Sequence, residues 1–238
     1  MTELIVSEIT RMNDGFCVIG VERNGAQFRS VRPLPPRRYA WVNFPYQRGD
    51  KLGLDFSTAF TIPPHTEDRN ARNEHKLGFV SEEELIGTLK QAEVGNSVQE
   101  LFACEPHTSR FGGKSVYALP REAKRSICGC EIESLKFCFH FYPKMRVAIK
   151  LKSGERLASL PLVDADWGQF IGLLADGLEG ESNLRTRLER QFSTMVQDQI
   201  NDSDAKFVRI GLSRPNRDGL CWFMLDSLFP LPKKAWLE

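Results

Sequence analysis

His65, Glu67 and Asp68 fall within four positions of one another in a strongly polar segment that runs from Pro63 to Asn73. An imidazole beside two carboxylates is equipment for moving a proton on and off a bound group, as a sensor or hydrolase of nucleotides requires. No nucleophile and no second carboxylate cluster accompanies them, and the same side chains suit capping a turn or pairing with Arg69 and Arg72. The segment therefore reads as a surface loop, either functional or structural, and no residue is assigned a catalytic role.

Cys104, His107, Cys128 and Cys130 are all zinc-ligand types, but Cys128-Gly-Cys130 is tighter than the usual two-to-four-residue spacer, so no metal is expected. Gly112-Gly113-Lys114-Ser115 ends like a phosphate-binding loop, yet the glycine that should open it stands at neither His107 nor Thr108. No cofactor is expected. The six cysteines are scattered and read as free thiols packed as small hydrophobes.

Cations beside rings offer the other chemistry. Arg29, Arg32, Arg37 and Arg38 run into Tyr39 and Trp41 across a proline-rich stretch, Lys144, Arg146, Lys150 and Lys152 decorate a strand, and Arg209, Arg214 and Arg217 cluster near the end of the chain. Guanidinium and ammonium groups at backbone spacing with rings for stacking would bind phosphates and unstacked bases. A solvated sheet face with a buried Trp41 is the plainer reading of the same residues. The 32 basic and 31 acidic residues nearly cancel, so attraction to a polyanion must be local.

These side chains need elements to hold them. Residues 15–32 predict a β-hairpin turning at Asn24-Gly25, and Met145 to Leu160 predicts a second one turning at Ser153-Gly154. Phe137 and Phe139 alternate with Cys138, and Met145, Val147, Ile149 and Leu151 alternate with Arg146, Ala148, Lys150 and Lys152, the period of a strand with one apolar face. Ser81-Glu-Glu-Glu84 predicts a capped helix from Ser81 to Ala92, and a further turn of helix is expected over Val98–Phe102. Helical spacing recurs from Asp166 and again from Leu184 to Ile200, and a last hairpin follows from Phe207. The prolines of 33–36 argue against helix or central strand there.

Short strands in two similar halves predict a β-rich chain of two tandem OB-like small β-barrels, each with inserted helix, divided as 1–125 and 126–238. No apolar run approaches a membrane span, and the first residues lack the pattern of a signal peptide, so a cytoplasmic protein is expected.

Cys17-Val-Ile-Gly-Val, then Gly25 and Phe28-Arg-Ser-Val-Arg-Pro33, then the motif around His65, Glu67 and Asp68, and finally Val208-Arg-Ile-Gly-Leu-Ser-Arg-Pro215 leading into Cys221-Trp222, occur in an order that resembles the prokaryotic dual OB-fold-containing (DuOB) domain. The resemblance spans about Leu4 to Pro232, with little to match over residues 80–125. It implies a nucleic-acid-binding module of a prokaryotic defence or conflict system, acting as a recognition subunit beside an effector or nuclease on another chain. Single-stranded DNA or RNA is the expected partner, and a protein-interaction adaptor in a multi-subunit complex is the alternative.

Overall fold

The computed structural model describes residues 1–12, 15–38, 40–109, 115–139, 145–177, 183–204 and 206–232. Five strands close the first barrel: β1 (Thr2–Met12), β2 (Gly15–Asn24), β3 (Gln27–Leu34), β4 (Asp50–Thr58) and β5 (Asp68–Phe79). Their order is β1-β2-β3-β5-β4, and β4 returns to pair with β1. Only β3 and β5 run parallel. Leu4, Val6, Val18, Val31, Leu52 and Leu54 fill the interior.

The unbroken burial of β1 from Leu4 to Glu8 follows from its position, because both of its faces are covered. Leu4 and Val6 point into the barrel, while Ile5 packs outward with Phe207 and Phe229 of the second half.

Helices α1 (Glu82–Leu89) and α2 (Val98–Phe102), with the short strands β6 (His107–Thr108) and β7 (Val116–Ala118), lead into the second module. Its main strands are β8 (Ile127–Cys138), β9 (Arg146–Leu151), β10 (Arg156–Pro161), β11 (Phe207–Leu212) and β12 (Cys221–Phe229). Between β10 and β11 come α3 (Ala165–Asp176), α4 (Leu184–Phe192), a π-helical turn (Ser193–Gln197) and α5 (Asp198–Asp202).

The sheet runs β10-β9-β8-β11-β12-β7-β6 and curls on itself. Just past β10, Leu162 makes a parallel bridge to Leu225 of β12, and the Val163 N–H donates to the Leu225 carbonyl at 3.1 Å. In both halves strand one therefore pairs with two and four, four with five, and the third strand meets the fifth in parallel. That is the connectivity of an OB-type barrel, closed along a ladder in the first half and by a single bridge in the second. The helices pack beneath the second sheet, where Trp167, Phe170 and Phe192 meet Phe137 and Phe139.

Several local expectations shift. The first hairpin pairs Asn24 with Gln27, so its two turn residues are Gly25 and Ala26, with Gly25 at φ +64°. Pro33 lies within β3, against expectation. It costs no ladder bond because β3 has left β2 by then, and its carbonyl accepts from the Trp41 indole at 2.9 Å.

The helix over 81–92 is shorter, Glu82–Leu89, and starts as foreseen with the Ser81 hydroxyl accepting from the Glu84 N–H. Residues 98–123, placed with the first half in the division at 125, send Val98, Leu101, Phe102, Val116 and Ala123 into the second core. The Pro63–Asn73 segment is not a surface loop throughout: Asp68 onward is β5, and His65 and Asp68 are buried.

Candidate nucleic-acid interface and the cleft between the barrels

His65, Glu67 and Asp68 do converge, and they converge on Arg32. This guanidinium sits where β3 begins its parallel run beside β5 and is buried. Its Nη1 donates to Asp68 Oδ1 at 2.9 Å and to His65 Nδ1 at 2.7 Å, and its Nη2 donates to Ser126 Oγ at 3.1 Å. Ser126 in turn donates to Glu67, and the second Asp68 oxygen accepts from Arg214 Nη2 at 2.7 Å.

Four of these residues come from the first barrel, and Ser126 and Arg214 from the second half, so the cluster is a polar joint across the seam. Because Arg32 donates to Nδ1, the neutral ring carries its proton on Nε2. Burial, reinforced by Arg32 and Arg214, lowers the His65 pKa to about 2. An imidazole held neutral in this way serves near neutral pH as a fixed hydrogen-bond acceptor for Arg32 within the joint.

Arg209 is also structural. It is 0% exposed on β11, where its Nε donates to Glu8 Oε1 at 2.7 Å and its Nη2 to Ser30 Oγ. A third buried arginine, Arg48, reaches Asp164 at 2.9 Å and the Ser227 hydroxyl at 2.9 Å. Sequence reasoning overlooked Arg48, Glu8 and Asp164. The signal was a charge set among strand apolars, as in Leu4-Ile-Val-Ser-Glu-Ile9, which marks a buried partner as readily as a solvated face.

The remaining cations divide. Arg29 pairs with Glu22, Lys150 with Glu133, and Lys152 with Glu131. Arg146 donates to Ser115 and Ser159. Carboxylates thus neutralise Lys150 and Lys152 on the strand face that looked basic in sequence, while Arg146 is held there by neutral serine groups. Trp41 is buried in the first core, as the plainer reading had it. Arg37, Arg38 and Arg217 are exposed. Tyr39 and Lys144 lie outside the described residues, as do Gly112, Gly113 and Lys114.

His107 pairs with Glu122 at 2.8 Å and stacks on Tyr117, while the Cys128 thiol donates to the Leu101 carbonyl at 2.8 Å. Burial raises the Cys104 and Cys128 thiols to about 11 and about 12, which keeps both protonated near neutral pH. Among the described residues no group of three or more potential ligands gathers at one point.

Among the concavities along the seam, two bear on these residues. One, of about 420 Å³, lies where β3 and the loop before β5 meet the segment before β8. Arg29, Arg69, Lys124 and Arg125 line it, with Glu67 and Glu93 as the acidic counterweight. Arg29 and Arg69 share the buried Glu22, whereas neither Lys124 nor Arg125 forms an ion pair among the described residues. The loop that brings Thr66 and Glu67 to this groove also carries Phe60, a ring 81% exposed. The other concavity, about 250 Å³, is lined by Cys17, Arg32 and His65 from one half and by Leu212, Met224 and Asp226 from the other.

Among the described residues no helix is long and apolar enough to cross a membrane. Comparison with family models, with curated proteins and with solved structures finds no match for this chain.

Proposed function

We propose that this protein binds single-stranded nucleic acid without catalysing a reaction on it, through the groove formed by Arg29, Arg69, Lys124 and Arg125. The observation that carries the reading is the pair Lys124 and Arg125, cations without carboxylate partners among the described residues, facing β3 of an OB-type barrel. The β2–β3 face and the loop between strands four and five are where such barrels hold oligonucleotides. In this barrel that loop presents the exposed Phe60, a ring of the kind on which unpaired bases stack. Arg37, Arg38 and Arg217 add exposed charge elsewhere on the surface. The motif order, which resembles that of the dual OB-fold domain, supports the further reading of a cytoplasmic recognition subunit of a defence system, with the effector on another chain.

Anisotropy of labelled single-stranded DNA and RNA tests this reading. Affinity should fall steeply with salt. In the Lys124→Glu/Arg125→Glu variant it should drop at least tenfold, with the log–log salt slope shallower by roughly 1.4, about 0.7 for each phosphate no longer neutralised. Phe60→Ala should weaken binding roughly fivefold or more without altering the slope, as removal of one stacking platform requires. No association of the wild type at low salt overturns the reading.

One observation favours a protein-binding adaptor instead. A groove of about 500 Å³ is lined by Phe79, Phe170, Leu173, Leu231 and Pro232, and Phe79 and Leu173 are more than half exposed. Binding of a partner there would be nearly indifferent to salt, which separates the two readings.

A further inference from the structure

The cavity of about 250 Å³ between the barrels is lined by two residues, Asp226 and Arg32, that each bury a polar atom the fold leaves unsatisfied. Asp226, on β12, is 3% exposed, and its Oδ1 has no hydrogen-bond partner. Arg32, on the facing barrel, commits both terminal nitrogens to the joint described above, but its Nε has no partner. Leaving a buried acceptor or donor unpaired is unfavourable, more so when the group is charged, and does nothing for the fold.

The local backbone accommodates the carboxyl. A Cβ at Gly211, on the neighbouring strand β11, would fall 1.9 Å from Asp226 Oδ2, so the glycine clears the place where the carboxyl lies. The walls beside these groups are apolar, from Met12, Val163, Leu212 and Met224. At the rim, Arg11 is exposed and makes no ion pair among the described residues.

A buried acceptor and a buried donor on one cavity, flanked by apolar walls, suit a flat ring that carries a donor beside an acceptor on a single edge. Nucleobases have such edges, and a cation at the mouth suits the phosphate attached to them. We propose that the cleft between the barrels holds the base of a nucleotide, with its hydrogen-bonding edge on Asp226 and Arg32 and its phosphate at Arg11. Burial raises the Asp226 carboxyl to about 8, so near neutrality it carries a proton and offers both a donor and an acceptor to that edge. A free mononucleotide and the end of a strand present the same chemistry. The site is separate from the Lys124–Arg125 groove and does not rest on it.

Calorimetric titration of the full chain with each common nucleoside monophosphate, with short homopolymers, with inorganic phosphate and with a free amino acid tests the proposal. Saturable binding of a mononucleotide with Kd below about 1 mM identifies a free nucleotide as the ligand, and binding of oligomers alone identifies a strand end only where it survives Lys124→Glu/Arg125→Glu and protects Cys17. Arg11→Glu, at an exposed position where folding is not at stake, should weaken nucleotide binding about tenfold and leave the matching nucleoside unchanged. The Lys124→Glu/Arg125→Glu variant should retain mononucleotide binding, which keeps failure here distinct from failure at the groove.

Cys17 lines the same cavity, so a bound nucleotide should slow its alkylation several-fold while Cys138, half-buried on β8, reacts as before. Each thiol falls alone in its tryptic peptide, so mass spectrometry reads them separately. Absence of nucleotide binding, binding of phosphate or amino acid only, or nucleotide binding that neither protects Cys17 nor responds to Arg11→Glu overturns the proposal.

Discussion

Burial moves the Asp226 carboxyl and the His65 imidazole both toward neutrality, and this gives them opposite effects on stability. The native Asp226 pKa of about 8 is raised by desolvation with help from Glu8 and Asp164, against the opposing pull of Arg32 and Arg209. An unfolded chain would hold that carboxyl near 3.9. Between those values the native state keeps a proton the unfolded state has released, so stability from this group is complete below about 3.9 and falls as pH rises through 8. His65 works the other way: its contribution is intact above its unfolded value of about 6.5 and declines as pH drops toward 2. Urea denaturation of Asp226→Asn should therefore show a smaller loss between pH ~5 and ~8.5 than the wild type, by more than about 1 kcal/mol. Parallel pH profiles would show that Asp226 is not the titrating group. Arg32 and Arg209 make the same point about legibility. Their spacing in sequence suits phosphate contacts, but β11 is buried at every position, so period-two reasoning had no solvent face on which to place Arg209.

The elements themselves were legible where one face met water. β9 alternates between buried Val147, Ile149 and Leu151 and the more open Arg146, Ala148 and Lys150, as its sequence period requires. The second hairpin, the Ser81 cap and the helical block after Asp164 also form where local chemistry directs them, and the first hairpin forms with its turn displaced by one residue. Reading failed where tertiary contact overrode local character. β5 is too polar for a core strand, yet it completes the barrel because its partner β4 supplies a ladder from Arg69 to Phe79, interrupted by two register shifts, and Asp68 is neutralised by Arg32 and Arg214. The first hairpin gives a test at this scale. Gly25 holds φ +64° with open space where a side chain would project, so Gly25→Val is opposed by backbone strain alone and should cost about 1–2 kcal/mol. Gly78, equally open but on β5 with no positive φ, should tolerate Ala and gain up to about 1 kcal/mol. Equal thermal shifts for the two variants would contradict the turn geometry.

At the scale of the molecule, two small barrels of one connectivity are joined by a seam that is apolar at one end and ionic along the rest. Ile5 and Val21 meet Phe207 and Phe229, while the ion pairs Arg209–Glu8, Arg48–Asp164 and Arg214–Asp68 each take one residue from either half. Desolvating such pairs offsets most of their attraction, so they are poor sources of stability but severe liabilities when one partner is removed. Arg209 and Glu8 are both fully buried, and the pair therefore gives the sharpest test. Arg209→Met should strand the Glu8 carboxylate and cost about 3–5 kcal/mol, and Glu8→Leu should strand the guanidinium at a similar cost. The double variant, which removes both charges, should recover most of that loss despite the hydroxyl of Ser30 losing its donor. If the seam joins the barrels into one cooperative unit, each single variant lowers the midpoint of one urea transition. Single substitutions that cost under about 1 kcal/mol, or a double variant as unstable as the sum of the two, would mean that the buried pair does not couple the barrels.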